Sequence, residues 1–96
     1  MQEPKKPLAG RPKGTKSFDP APALAFGKVV RSRRIEVGLS QEELANIASV
    51  ERSHMGKIER GEHMPNLVLI LRLADALKIT AGELVNDAVD LIERAY

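Results

Sequence analysis

Arg52, Ser53, Gly56 and Lys57 stand close together in the chain and combine residue types able to read the edges of nucleic-acid bases. Arg52 carries a planar fork of N–H donors that matches the O6 and N7 acceptors of guanine, Lys57 can donate to the same pair, and Ser53 can donate or accept. Gly56 offers no side chain and costs a helix roughly 1 kcal/mol relative to alanine, but it lets another group come close, a thymine methyl for example. On charge alone, an ordinary solvated helix face is the better reading of Arg52 and Lys57, and only the surrounding motif reverses that preference.

A second basic element lies near the amino terminus. Gly10-Arg11-Pro12-Lys13-Gly14, followed by Lys16, resembles the core of an AT-hook, an extended segment that enters the narrow, strongly negative minor groove of A·T sequence. Ala9 stands where that motif has a flanking arginine, and a sequence-independent electrostatic arm is the alternative. Charge divides along the chain in the same sense. Residues 1–34 hold nine Lys/Arg against two acids, a net of +7, whereas residues 35–96 hold six against eleven, a net of −5. In either version the arm adds affinity for DNA that falls with salt, because each neutralised phosphate releases counterions.

Other chemistries have little material. Cysteine is absent, which excludes disulfides and thiolate zinc sites, and the two histidines lack the spacing and carboxylate company of a metal site. Phe18, Phe26 and Tyr96 are too few to stack single-stranded bases, so duplex DNA is the better-fitting partner. No nucleophile with a base, paired acids in an apolar setting or phosphate-cradling glycine loop is recognisable, and the chain is expected to be non-enzymatic, without cofactor or metal. The longest apolar stretches, such as Leu67 to Leu71, are far shorter than a bilayer span, so a cytoplasmic protein held at the nucleoid through DNA is expected.

The elements that must position these residues are all helical. Residues 1–17, rich in Pro, Gly and Lys, lack an apolar period and cannot repay the entropy of ordering, so they read as a disordered arm. Asp19-Pro20 is a helix start, and Leu24, Phe26, Val29, Val30 and Ile35 give a first helix that Gly38 ends. Ser40 to Glu43 is a capping box opening a second helix from Gln41 to about Ala48. After a turn around Ser49 and Val50, a third helix turns Met55 and Ile58 inward and stops at Gly61. Pro65-Asn66 opens a fourth, whose inward period is Leu67, Ile70, Leu71, Ala74 and Leu77. Thr80 to Glu83 is a second capping box and opens a fifth helix toward the carboxyl terminus.

The blocks Leu39-Ser40-Gln41-Glu42-Glu43-Leu44-Ala45, Val50, Lys57-Ile58-Glu59-Arg60-Gly61, Pro65 and Leu73-Ala74-Asp75-Ala76-Leu77 resemble, in order and spacing, the Xre family of Cro and phage-repressor helix-turn-helix domains. The resemblance covers roughly Phe26 to Leu84 and implies an all-α, five-helix, lambda-repressor-like bundle. Its second helix would cross the DNA backbone while the third enters the major groove. On that basis Arg52, Ser53, Gly56 and Lys57 are the outward, base-reading positions, since Val50, Met55 and Ile58 belong to the core. The resemblance gives Gln41 a phosphate contact and makes Arg34 and Glu59 a partly buried structural ion pair. Arg60, His63 and Asn66 are further phosphate candidates, although N-capping fully explains Asn66. Glu51 stands where the family has a serine or threonine cap, and reads as a poor one.

Val68 and Leu69 replace family positions that are usually polar, and Val85, Val89, Ile92 and Tyr96 form a stripe beside a second one of Leu84, Ala88, Leu91 and Ala95. Two apolar faces on one helix need two partners, which points to a homodimer through Val68, Leu69, Val85, Val89, Ile92 and Tyr96. The alternative is a longer helix folding back on its own core. The expected organisation is a flexible AT-hook-like arm (1–18), a helix-turn-helix domain (19–84) and a dimerising extension (85–96). The expected function is a dimeric transcriptional regulator, a repressor, reading a pseudo-palindromic operator. An antitoxin that regulates its own operon and binds a toxin protein is the alternative.

Overall fold

A computed structural model describes residues 20–95. The basic arm with Arg11, Lys13 and Lys16, the cap expected at Asp19, and Tyr96 lie outside the described residues. Five helices follow one another: α1 (Pro20–Glu36), α2 (Gln41–Ala48), α3 (Arg52–Glu59), α4 (Leu67–Ala76) and α5 (Ala81–Ala95), with no strand among the described residues.

Local chemistry sets the boundaries. Ser40 Oγ accepts from the Glu43 amide while the Glu43 carboxylate accepts from the Ser40 amide, a reciprocal box that starts α2. Thr80 and Glu83 repeat it at α5, and the Asn66 side chain accepts from the Leu69 amide at α4. Glu51, at the head of α3, makes no capping hydrogen bond.

Four of the helices stop in one way: a left-handed residue just past the end, with the next amide bonded back to the last turn. Val50 N donates to Ala45 O at 2.8 Å past Ser49, and Glu62 N to Lys57 O at 2.9 Å past Gly61. Gly38 and Lys78 do the same for α1 and α4.

The core is built from all five helices, with Val30, Leu44, Met55, Ile58, Leu73, Leu77 and Leu84 fully enclosed. Each such side chain contributes about 1.5 to 3 kcal/mol relative to exposure. α1 packs chiefly on α5 and also on α3, while α2 bridges α3 and α4. Arg33 and Asp87 pair at 2.7 Å across the α1–α5 seam. Because α5 runs unbroken from Ala81 to Ala95, the boundary expected between residues 84 and 85 falls inside one helix.

Several expected faces are corrected. Leu67 and Leu71 are more than half exposed, and the inward face of α4 is Leu73, Ala74, Ala76 and Leu77, with Ile70 half-buried. The Leu67 to Leu71 run is apolar throughout, so its own pattern could not fix the phase. In α1, Leu24 and Ile35 are exposed, while Ala23 and Ala25 join Phe26, Val29 and Val30 inside. Leu69 and Ile92, expected at a dimer surface, pack partly against their own core.

Candidate nucleic-acid interface

The α2–turn–α3 unit carries the candidate site. Ser49 takes the left-handed conformation (φ 60°, ψ 48°) that reverses the chain between the two helices. Met55 and Ile58 enter the core at 0% exposure, which fixes the rotation of α3 about its axis and leaves Arg52, Ser53 and Lys57 on its exposed side. Gly56, expected among the outward positions, is buried instead. A β-carbon there would lie 2.9 Å from Arg60 Nη1 and 3.7 Å from Gln41 Oε1, so the arginine guanidinium and the glutamine cover it.

The far end of α3 is clamped to α1. Arg34 Nε and Nη2 donate to Glu59 Oε2 and Oε1 at 2.7 and 3.1 Å, and Arg34 Nη1 donates to the Leu39 carbonyl at 2.9 Å. The Glu59 side chain is only 2% exposed. The hydrogen bonds to Glu59 raise the Arg34 guanidinium above its ordinary value, outweighing the opposing effect of burial. Gln41 Nε2 also donates to Glu59 Oε1, at 3.0 Å, so this residue from the start of α2 is tied into the same cluster.

The remaining candidates lie around this frame. Arg60 is exposed and engages Glu62, while Asn66 is occupied as the cap of α4. His63 is exposed and meets the His54 ring edge-on, centroids 4.5 Å apart, and His54 Nε2 is buried with no hydrogen-bond partner among the described residues. Among the described residues no group of three or more His, Cys, Asp or Glu is placed to hold a metal, and no helix is long and apolar enough to cross a membrane.

Sequence reasoning missed Gly27. A β-carbon there would collide with the Ile58 carbonyl oxygen and come within 2.7 Å of the Glu59 carbonyl oxygen, so glycine lets α1 pass directly against the end of α3. Its signal was present: a glycine inside a helix costs about 1 kcal/mol and calls for a packing reason.

A short helix pair joined by a tight turn, its second helix presenting a polar face from a rigid frame, is the architecture of a helix-turn-helix DNA-binding domain. Residues 25–87 match the family model of a helix-turn-helix domain. An HTH-type transcriptional regulator of Methanothermobacter thermautotrophicus is 43% identical over 49 residues, 51% of this chain and 71% of that protein. The control protein C.SmaI of Serratia marcescens is 39% identical, over 58% of this chain and 67% of that protein. Among solved structures, the restriction-modification controller protein C.AhdI from Aeromonas hydrophila aligns at TM-score 0.65 and 45% identity, over 67% of this chain and 97% of that one. The chain belongs to the helix-turn-helix domain family, in its Xre type, a DNA-binding class that regulates transcription.

Proposed function

We propose that the protein is a dimeric transcriptional repressor that inserts α3 into successive major grooves of a pseudo-palindromic operator. The observation that carries this reading is the presentation of Arg52, Ser53 and Lys57 on the exposed side of a helix whose far end is pinned by Arg34 and Glu59. Arg52 and Lys57 would donate to guanine and Ser53 to either partner of a pair. Gln41, Arg60 and His63 would meet backbone phosphates and set the register, with Asn66 a weaker candidate because its side chain already caps α4. The basic arm, Arg11, Lys13 and Lys16 included, would add a minor-groove or purely electrostatic contact.

The dimer reading rests on apolar side chains left at the surface of the adjoining helices α4 and α5. Val68 is 54% exposed, Leu67 65%, Leu71 51%, and Val85 and Val89 42% each. Leu67 and Leu71 replace Leu69 and Ile92 as the stronger contributors to such a face. A footprint on the DNA upstream of its own gene, beside sedimentation equilibrium of the free protein, tests both parts. Protection of two half-sites about one helical turn apart is expected. A monomer that protects no DNA overturns the reading.

The likeness to C.AhdI and C.SmaI favours one kind of regulated gene, those of a restriction-modification system. Restriction and methyltransferase genes beside this one, with the footprint between them, are the expected finding. No feature of the structure favours the toxin-binding alternative.

A further inference from the structure

Arg60 lies one turn beyond Gly56 and two beyond Arg52, on the same line along α3 and its C-terminal cap. Its guanidinium folds back over Gly56, where Nη1 lies 2.9 Å and Gln41 Oε1 3.7 Å from the place a β-carbon would take. The opposite edge is occupied. Nε donates to Glu62 Oε2 at 2.8 Å and Nη2 to Glu62 Oε1 at 3.3 Å, the two-pronged arrangement in which an arginine also binds a phosphate. Glu62 holds the Arg60 guanidinium above its ordinary value, as an oxyanion of any kind on this edge would.

We propose that Glu62 is an electrostatic gate on DNA binding: in the free protein its carboxylate occupies the edge of Arg60 that a backbone phosphate takes in the complex. The proposal rests on the DNA-binding reading above and adds a residue that opposes binding. Both side chains are more than half exposed, at 59% and 54%, so solvent and salt screen the pair and a phosphate displaces the carboxylate readily. The displaced Glu62 then stays within the negative field of the duplex. It therefore weakens binding to every sequence alike, because phosphate contacts carry no base information. Gly56 has a matching part: with no side chain, it leaves room for the guanidinium, whose Nη1 stands 2.9 Å from where a β-carbon would be.

The test is a double-mutant cycle of Glu62→Gln and Arg60→Gln, read as affinity for operator and random duplex across a salt series, with circular dichroism to confirm folding. Glutamine keeps the shape of Glu62 and removes its charge. Glu62→Gln is expected to bind both duplexes roughly two- to fivefold tighter, the effect of an exposed charge pair. Its plot of log affinity against log salt is expected to steepen by up to about 0.9, because no displaced carboxylate then remains to offset the phosphate contact that Arg60 makes in both proteins. In the Arg60→Gln background most of both changes should vanish, and Glu93→Gln, an equal charge change on α5, should alter neither. Weaker binding by Glu62→Gln overturns the gate and makes Glu62 a residue that orients Arg60. An equal gain with and without Arg60 overturns it too, leaving a plain surface charge. Wild-type protein that binds DNA but ignores Glu62 defeats this proposal alone, whereas wild type that binds no duplex defeats the DNA-binding reading with it.

Discussion

The Arg34 guanidinium and the Glu59 carboxylate meet through two parallel hydrogen bonds of 2.7 and 3.1 Å, joining α1 to the end of α3. With Glu59 at 2% side-chain exposure and Arg34 at 12%, the carboxylate has almost no water as an alternative partner and the guanidinium has little. Glu59→Ala strands Arg34 and Gln41 together and is expected to cost about 3 to 5 kcal/mol, read from urea denaturation. The double change Arg34→Met, Glu59→Leu should recover most of that loss, since it leaves no buried charge uncompensated. A loss under 1 kcal/mol for Glu59→Ala would show the pair to be solvated.

Gly27→Ala tests the close approach of α1 and α3. In an exposed helix this substitution would stabilise by about 1 kcal/mol. Here the added methyl meets the backbone carbonyls of Ile58 and Glu59, which cannot rotate away. A net destabilisation at the upper end of about 1 to 3 kcal/mol is expected. A higher midpoint for the alanine variant would refute the contact.

Arg52→Ala and Lys57→Ala should each lose about 1 to 3 kcal/mol against the operator and much less against random duplex. Both side chains are exposed, so thermal unfolding should be unchanged. Equal losses on the two duplexes, measured by fluorescence anisotropy, would reassign these residues to phosphate.

Val89→Asp probes assembly. Val89 is 42% exposed in the single chain, so an aspartate there meets water in the monomer but must be desolvated in a dimer built on this face. Sedimentation equilibrium should show the wild type as a dimer and the variant as a folded monomer with half-site affinity only. An unfolded variant would place Val89 in the core.

Removing residues 1–17 deletes five Lys/Arg. The helical domain should unfold at nearly the same temperature, while the salt dependence of DNA binding becomes shallower. An unaltered slope would show that the arm takes no part.

Much of this was legible where side chains mark backbone chemistry locally. The Ser40–Glu43 and Thr80–Glu83 boxes and the glycines at 38 and 61 announced where helices begin and end. Two other stops were less visible, because Ser49 and Lys78 adopt left-handed conformations without being glycine or asparagine, held there by the bonds that close each turn. The phase of α4 was hidden by five consecutive apolar residues, and only packing against α2 and α5 chose Leu73 over Leu71. Gly56 looked outward because helical spacing places its α-carbon but not the Arg60 side chain that folds over it. The Arg33–Asp87 pair joins positions 54 residues apart, a separation at which no local pattern reports.

The seam between α1 and α5 also ties together the two helices farthest apart along the chain in the described fold. The first helix takes most of its cover from the fifth and the rest from α3, so the core closes only when elements distant in sequence have met, and that non-local step slows folding relative to local helix formation. Cutting the chain between α4 and α5 is expected to leave an open apolar flank on α1, a substrate for chaperones and proteases.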